Sequence, residues 1–115
     1  MTYTLLHNPS CSKSRQGLAL LEEKGVDLTV RKYMNAGEAL SLKELKAIAA
    51  EMGVDSPRAF LRKGNAKDHG LALDASDADV YTAMAENPKL IERPIGLHNG
   101  KAALGRPPEN LLEIL

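Results

Sequence analysis

A chain of 115 residues with 43% hydrophobic content can enclose one modest core and is too short for two ordinary domains, so residues 1–115 are expected to form a single domain. Lys+Arg and Asp+Glu both total 15, which leaves no general pull toward nucleic acid or anionic lipid, and any anion recognition must be local. The aromatics are Tyr3, Tyr33, Tyr81 and Phe60, too few for a base-stacking surface, and no apolar run approaches the ~20 residues of a spanning helix. The expectation is a cytoplasmic monomer with neither a nucleic-acid nor a membrane partner.

In chain order, residues 3–6 are apolar strand formers that run into Asn8-Pro9, which cannot extend a central strand. Residues 14–24 carry Leu18, Leu20 and Leu21 and stop at Gly25, predicting a helix that begins just after Cys11. Alternation through residues 28–32, continued by Tyr33, predicts a second strand. Ser41 and Glu44 have capping-box spacing, and Leu45, Ile48, Ala49 and Met52 form a helical stripe closed by Gly53.

Ser56-Pro57 predicts a short helix to about residue 63, carrying Arg62. Residues 77–86 form another helix, ended by Asn87-Pro88. Asn99-Gly100, between Ile95/Leu97 and Ala102/Leu104, is the strongest two-residue hairpin signal, and Pro107-Pro108 opens a last helix whose Leu111, Leu112, Ile114 and Leu115 must dock on the sheet. The order β-α-β, helices, β-β-α predicts an α/β fold with a mixed four-stranded sheet flanked by helices, of thioredoxin-like type. His69 and His98 are expected in exposed loops.

The one cysteine, Cys11, excludes an internal disulfide and a multi-thiolate zinc site, and the separated His7, His69 and His98 predict no metal. A thiol of pKa ~8.5 is about 3% ionised at pH 7, whereas one at ~6.5 is about 75% ionised, a difference of roughly 2.7 kcal/mol. A helix start supplies part of that through its unpaired N–H groups and dipole, and the same features attract an oxyanion. Most lone cysteines are small buried apolar residues. Cys11 instead sits in a polar loop, with Lys13 and Arg15 adding positive charge. Ser14 occupies the place of a resolving cysteine, so any covalent intermediate needs an outside thiol. A phosphatase-type loop would need arginine where Gly17 stands.

Four segments, His-Asn-Pro-Ser-Cys-Ser-Lys-Ser-Arg at 7–15, Arg-Ala-Phe-Leu-Arg-Lys at 58–63, Asn-Pro-Lys-Leu-Ile-Glu-Arg-Pro-Ile at 87–95 and Leu-Gly-Arg-Pro-Pro-Glu at 104–109, together resemble the glutaredoxin-coupled arsenate reductase (ArsC) family. The resemblance implies a thiolate, Cys11, that attacks arsenate, and an oxyanion site made by Arg62, Arg93 and Arg106. It further implies glutathione as co-substrate, glutaredoxin as reducing partner and no bound cofactor. It favours His7 as support for the thiolate, in company with Ser14 and Arg15, and a cis bond before Pro94. Arginine suits the task independently, because its rigid fork offers paired donors and stays charged through turnover.

Two other readings compete. A monothiol glutathione-linked oxidoreductase would use Cys11 on mixed disulfides, but has no need of the arginine trio. A non-catalytic regulator of the Spx type, which binds RNA polymerase, would carry a Cys-x-x-Cys where this chain has Ser14.

Overall fold

The computed structural model describes residues 2–62, 64, 70–72 and 74–115. Strands β1 (Tyr3–Leu6), β2 (Leu28–Arg31), β3 (Ile95–His98) and β4 (Lys101–Leu104) form a sheet in the order β2-β1-β3-β4. β1 runs parallel to β2, in register Tyr3↔Leu28, and antiparallel to β3, with Leu5 opposite Gly96. The β3–β4 hairpin turns at Asn99 and Gly100, whose φ values of 59° and 72° are the positive angles of a type I′ turn.

Both faces of the sheet are covered, because successive β1 side chains point opposite ways. Tyr3 and Leu5 are buried with Leu21 of α1 (Ser12–Glu23) and with Leu111 and Ile114 of the closing 3₁₀ helix Pro108–Ile114. Leu6 is buried with Leu45 and Ile48 of α2 (Leu42–Met52) and with Val80 and Met84 of α3 (Asp77–Glu86). The α2 start has the reciprocal Ser41–Glu44 capping box, and Gly53 ends the helix at φ 76°. This helix-flanked mixed sheet is the thioredoxin-like arrangement.

Several expectations shift in detail. The first helix starts two residues before 14 and ends at Glu23. The strand before Tyr33 stops at Arg31, and Tyr33 turns inward to full burial. The segment after Ser56 makes only one 3₁₀ turn, Pro57–Phe60, because Leu61 goes extended and bridges Ile91. Arg62 therefore sits on a bridged strap rather than on a helix; Lys63 and His69 lie outside the described residues. His98 is no loop residue: it ends β3, stacks on Tyr3 with centroids 5.4 Å apart, and places Nδ1 2.8 Å from the Ile114 carbonyl. Leu115, expected to dock with its neighbours, is exposed.

Candidate functional site

Cys11 is the N-cap of α1, in extended backbone (φ −99°, ψ 124°), with the N–H groups of Lys13 and Ser14 turned toward its side chain. The loop before it is tied by its own polar groups. The Cys11 N–H donates to the Asn8 carbonyl at 3.0 Å, and the Asn8 side-chain oxygen accepts the Ser10 N–H at 3.0 Å. The sulfur thus stands over the open first turn of the helix, half-buried, where unpaired N–H groups point outward.

The Cys11 thiol is held below its ordinary range. Partial burial is the largest single influence and opposes ionisation, but the Ser14 N–H, a hydrogen bond from Arg93, the Lys13 N–H and the Arg93 charge together outweigh it. Arg106 adds a long contact, with Nη2 3.8 Å from Sγ.

Ser14 is fully buried beneath the loop. Its hydroxyl accepts the Asn8 N–H at 3.0 Å and lies 3.0 Å from His7 Nδ1. Burial, then the charges of Lys32 and Arg15, push the His7 pKa down against the Ser14 hydrogen bond, so His7 stays neutral at pH 7. The 3.0 Å contact couples the imidazole to the Ser14 hydroxyl. His7 thereby fixes Ser14, and Ser14 fixes the loop and presents its own N–H to the sulfur. Arg15 does something different from its neighbour in sequence: its Nη1 donates to the Pro9 carbonyl at 2.8 Å and braces the loop from outside.

The three arginines come from three segments joined by backbone pairing. The Arg62 N–H donates to the Leu90 carbonyl, and the Glu92 N–H to the Phe60 carbonyl, both at 2.7 Å. Arg106 Nε donates to the Arg93 carbonyl at 2.9 Å. Both Arg93-Pro94 and Arg106-Pro107 peptide bonds are cis. Glu92 lies between two of the guanidinium groups, with Oε2 2.9 Å from Arg106 Nε and Oε1 3.9 Å from Arg62 Nε.

Arg93 Nε and Nη1 are buried and have no hydrogen-bond partner. Two guanidinium nitrogens left unsatisfied beside a thiol are unusual in a folded protein and mark a place for an acceptor. Beneath them Tyr33 is buried, its hydroxyl donating to the Ile91 carbonyl at 3.4 Å. Burial pushes its pKa up to about 12, with Arg93 pulling the other way, so it remains a neutral phenol at pH 7. A cleft of about 450 Å³ opens beside the loop, lined by Asn8, Pro9, Ser10, Met34, Asn35, Lys89 and Arg93. Among the described residues no cluster of His, Cys, Asp and Glu could hold a metal ion.

A model of the ArsC family matches residues 6–114, which contain the whole cysteine loop and all three arginines. The chain belongs to the ArsC family. An arsenate reductase of Haemophilus influenzae is 42% identical over 118 residues, covering 100% of this chain and 100% of that protein. One of Neisseria meningitidis is 45% identical over 114 residues, covering 96% of each. The solved structure of an arsenate reductase from Vibrio cholerae superposes with a TM-score of 0.88 at 44% identity, covering 100% of this chain and 98% of that one.

In this ArsC chain Cys11, Ser14, His7, Arg93 and Arg106 are gathered by direct contact or by charge, and Arg62 joins them through Glu92. Reading from sequence missed Glu92 and Tyr33. The available signal for Glu92 was a carboxylate set directly before Arg-Pro after apolar Leu90-Ile91, a costly place for a charge without a partner. Tyr33 gave no such signal, because alternation made it look like one more strand residue.

Proposed function

We propose that this chain reduces arsenate to arsenite, with Cys11 as nucleophile, Arg62, Arg93 and Arg106 as the oxyanion site, and glutathione and glutaredoxin as external reductants. The observation that carries the reading is the pair of buried, partnerless Arg93 nitrogens, Nε and Nη1, at the side of a thiol already biased toward its thiolate. A tetrahedral oxyanion supplies the acceptors those donors lack, and it would sit at the helix start where sulfur can reach its central atom. The arsenate reductases named above support the choice of arsenic as that atom.

The Cys11 thiolate attacks arsenic, a sulfur–arsenic bond forms, and one oxygen leaves as water once protonated. A glutathione thiolate then attacks the Cys11 sulfur, and the bonding pair stays on arsenic, which departs as arsenite. This leaves a disulfide between Cys11 and glutathione. Glutaredoxin takes the glutathione by thiol exchange and returns Cys11 to the thiolate. Two thiols supply the two electrons. With one cysteine in the sequence, the chain has no resolving thiol of its own, and Ser14 at the second motif position is committed to His7 and the loop.

The cleft beside Pro9 and Lys89 offers positive charge and more room than an oxyanion needs, which suits an anionic tripeptide thiol. We place the reaction in the cytoplasm, where glutathione is kept reduced. The test is arsenite formation with glutathione and glutaredoxin, measured beside turnover of a glutathionylated peptide. Arsenite production that depends on all components supports the reading; rapid peptide turnover without arsenite refutes it.

A further inference from the structure

We propose that Glu92 is a positioning and specificity-determining residue: its carboxylate holds the Nε edge of Arg106, so that the far end of that side chain faces Cys11, and acts as a resident counter-anion that limits how tightly the site retains an oxyanion. Three contacts place it in that role. Oε2 is 2.9 Å from Arg106 Nε, Oε1 is 3.9 Å from Arg62 Nε, and Arg106 Nη2 is in turn 3.8 Å from the Cys11 sulfur. The Glu92 backbone is itself fixed, its N–H donating to the Phe60 carbonyl at 2.7 Å.

Arg106 Nε donates its one N–H to the Arg93 carbonyl and pairs by charge with the Glu92 carboxylate, both at 2.9 Å. The far end of the guanidinium is therefore left to face sulfur or substrate, and the carboxylate reinforces the orientation that the Arg93 carbonyl sets. The charge works differently. Arg93 and Arg106 place two positive charges beside one half-buried sulfur, with Arg62 beyond Glu92, and the Glu92 carboxylate offsets one positive charge in the sum felt by an incoming anion. A site without it would hold arsenate and phosphate more strongly and would release less readily.

Charge and reach can be separated by substitution. Glu92→Gln keeps an oxygen for Arg106 but removes the charge; Glu92→Asp keeps the charge but shortens the reach; Glu92→Ala removes both. The probe is inorganic phosphate, read as protection of Cys11 from iodoacetamide in the full chain, with arsenite turnover measured in phosphate-free buffer. In Glu92→Gln, half-protection should need about tenfold less phosphate than in the wild type. In Glu92→Asp, which keeps the charge, the phosphate requirement should not fall below that of the wild type, and turnover should drop about tenfold because Arg106 is no longer aligned.

Glu92→Ala should show both changes, and if it fails to fold the Gln and Asp variants carry the test. An unchanged phosphate requirement in Glu92→Gln, or wild-type turnover in Glu92→Asp, overturns the proposal. The turnover measurement rests on the arsenate reading, but the phosphate measurement does not. Absence of arsenite from the wild type alone ends the arsenate reading, while protection still decides the role of Glu92.

Discussion

Replacing Arg93 with methionine should make the anion-free protein more stable. Arg93 Nε and Nη1 are buried without partners, and each such donor carries a desolvation cost of about 1–3 kcal/mol. Methionine keeps most of the length and packing of the side chain while removing both donors and the charge. Allowing for imperfect repacking, the net gain is about 2 kcal/mol, or roughly 6–10 °C in Tm for a chain of this size. Phosphate should reverse the order of the two proteins. Wild type gains about 2.7 kcal/mol at a phosphate concentration 100 times Kd, whereas Arg93→Met loses most of that gain with the donors. Scanning calorimetry with and without phosphate measures both effects. In parallel, alkylation of Cys11 at pH 7 should slow, because Arg93 lowers the thiol pKa by a hydrogen bond and by charge, and removing it lets that pKa rise. A variant that melts at or below wild type without phosphate, or that retains the full phosphate shift, would refute the assignment of those donors to an anion.

Cys11→Ser should abolish arsenite formation with the fold retained by circular dichroism, and Arg106→Ala should cost about 2–4 kcal/mol in kcat/KM, since its guanidinium lies beside the sulfur. Undiminished turnover in either removes the residue from the mechanism. Gly17→Ala places a Cβ 2.8 Å from Leu111 Cδ1 and 2.9 Å from Pro94 Cγ, and should destabilise by about 1–3 kcal/mol in urea despite the better helix propensity of alanine. Glu44 is held down to about 2 by its hydrogen bond with Arg31, against some burial, so its contribution is present above the unfolded carboxylate range near 4.5 and is lost as pH falls through about 2. Glu44→Gln should flatten the fall in stability over that window by about 1 kcal/mol, the modest size reflecting its solvent exposure, and an acid-unfolding curve parallel to wild type would refute it.

Local chemistry made much of the fold legible in the sequence. Asn99-Gly100 specified a hairpin turn because few residue pairs accept two successive positive φ values, and Ser41 with Glu44 specified a helix start because the pair satisfies two orphan donors. Cys11 stood out for a similar reason, being a thiol in a polar loop at the edge of a helix. What stayed hidden depends on contacts distant in sequence. Arg62 looked like a helix residue until Leu61 paired with Ile91, and His98 looked exposed until the chain end returned beneath it. No pattern within ten or so residues encodes either event. Glu92 lies between these cases: its position after an apolar pair signalled a partner, but only the paired strap shows that the partners are Arg62 and Arg106.

That strap ties the arginine-bearing segments to the core. Phe60, Leu61, Leu90 and Ile91 are all buried, and the backbone bonds between residues 60–62 and 90–92 run directly through them. The side chains of Arg62, Glu92 and Arg93 are thus mounted directly after two pairs of residues buried in hydrocarbon. On the opposite side, Pro94 Cγ lies 2.9 Å from where Gly17 would carry a Cβ and 2.8 Å from where Gly105 would. The helix that bears Cys11 and the segment leading to Arg106 therefore approach the same proline as closely as glycine allows. Sulfur and guanidinium groups are positioned by packing on both sides, so that a loss of packing at Gly17 should lower turnover as well as stability, even though Gly17 touches no substrate.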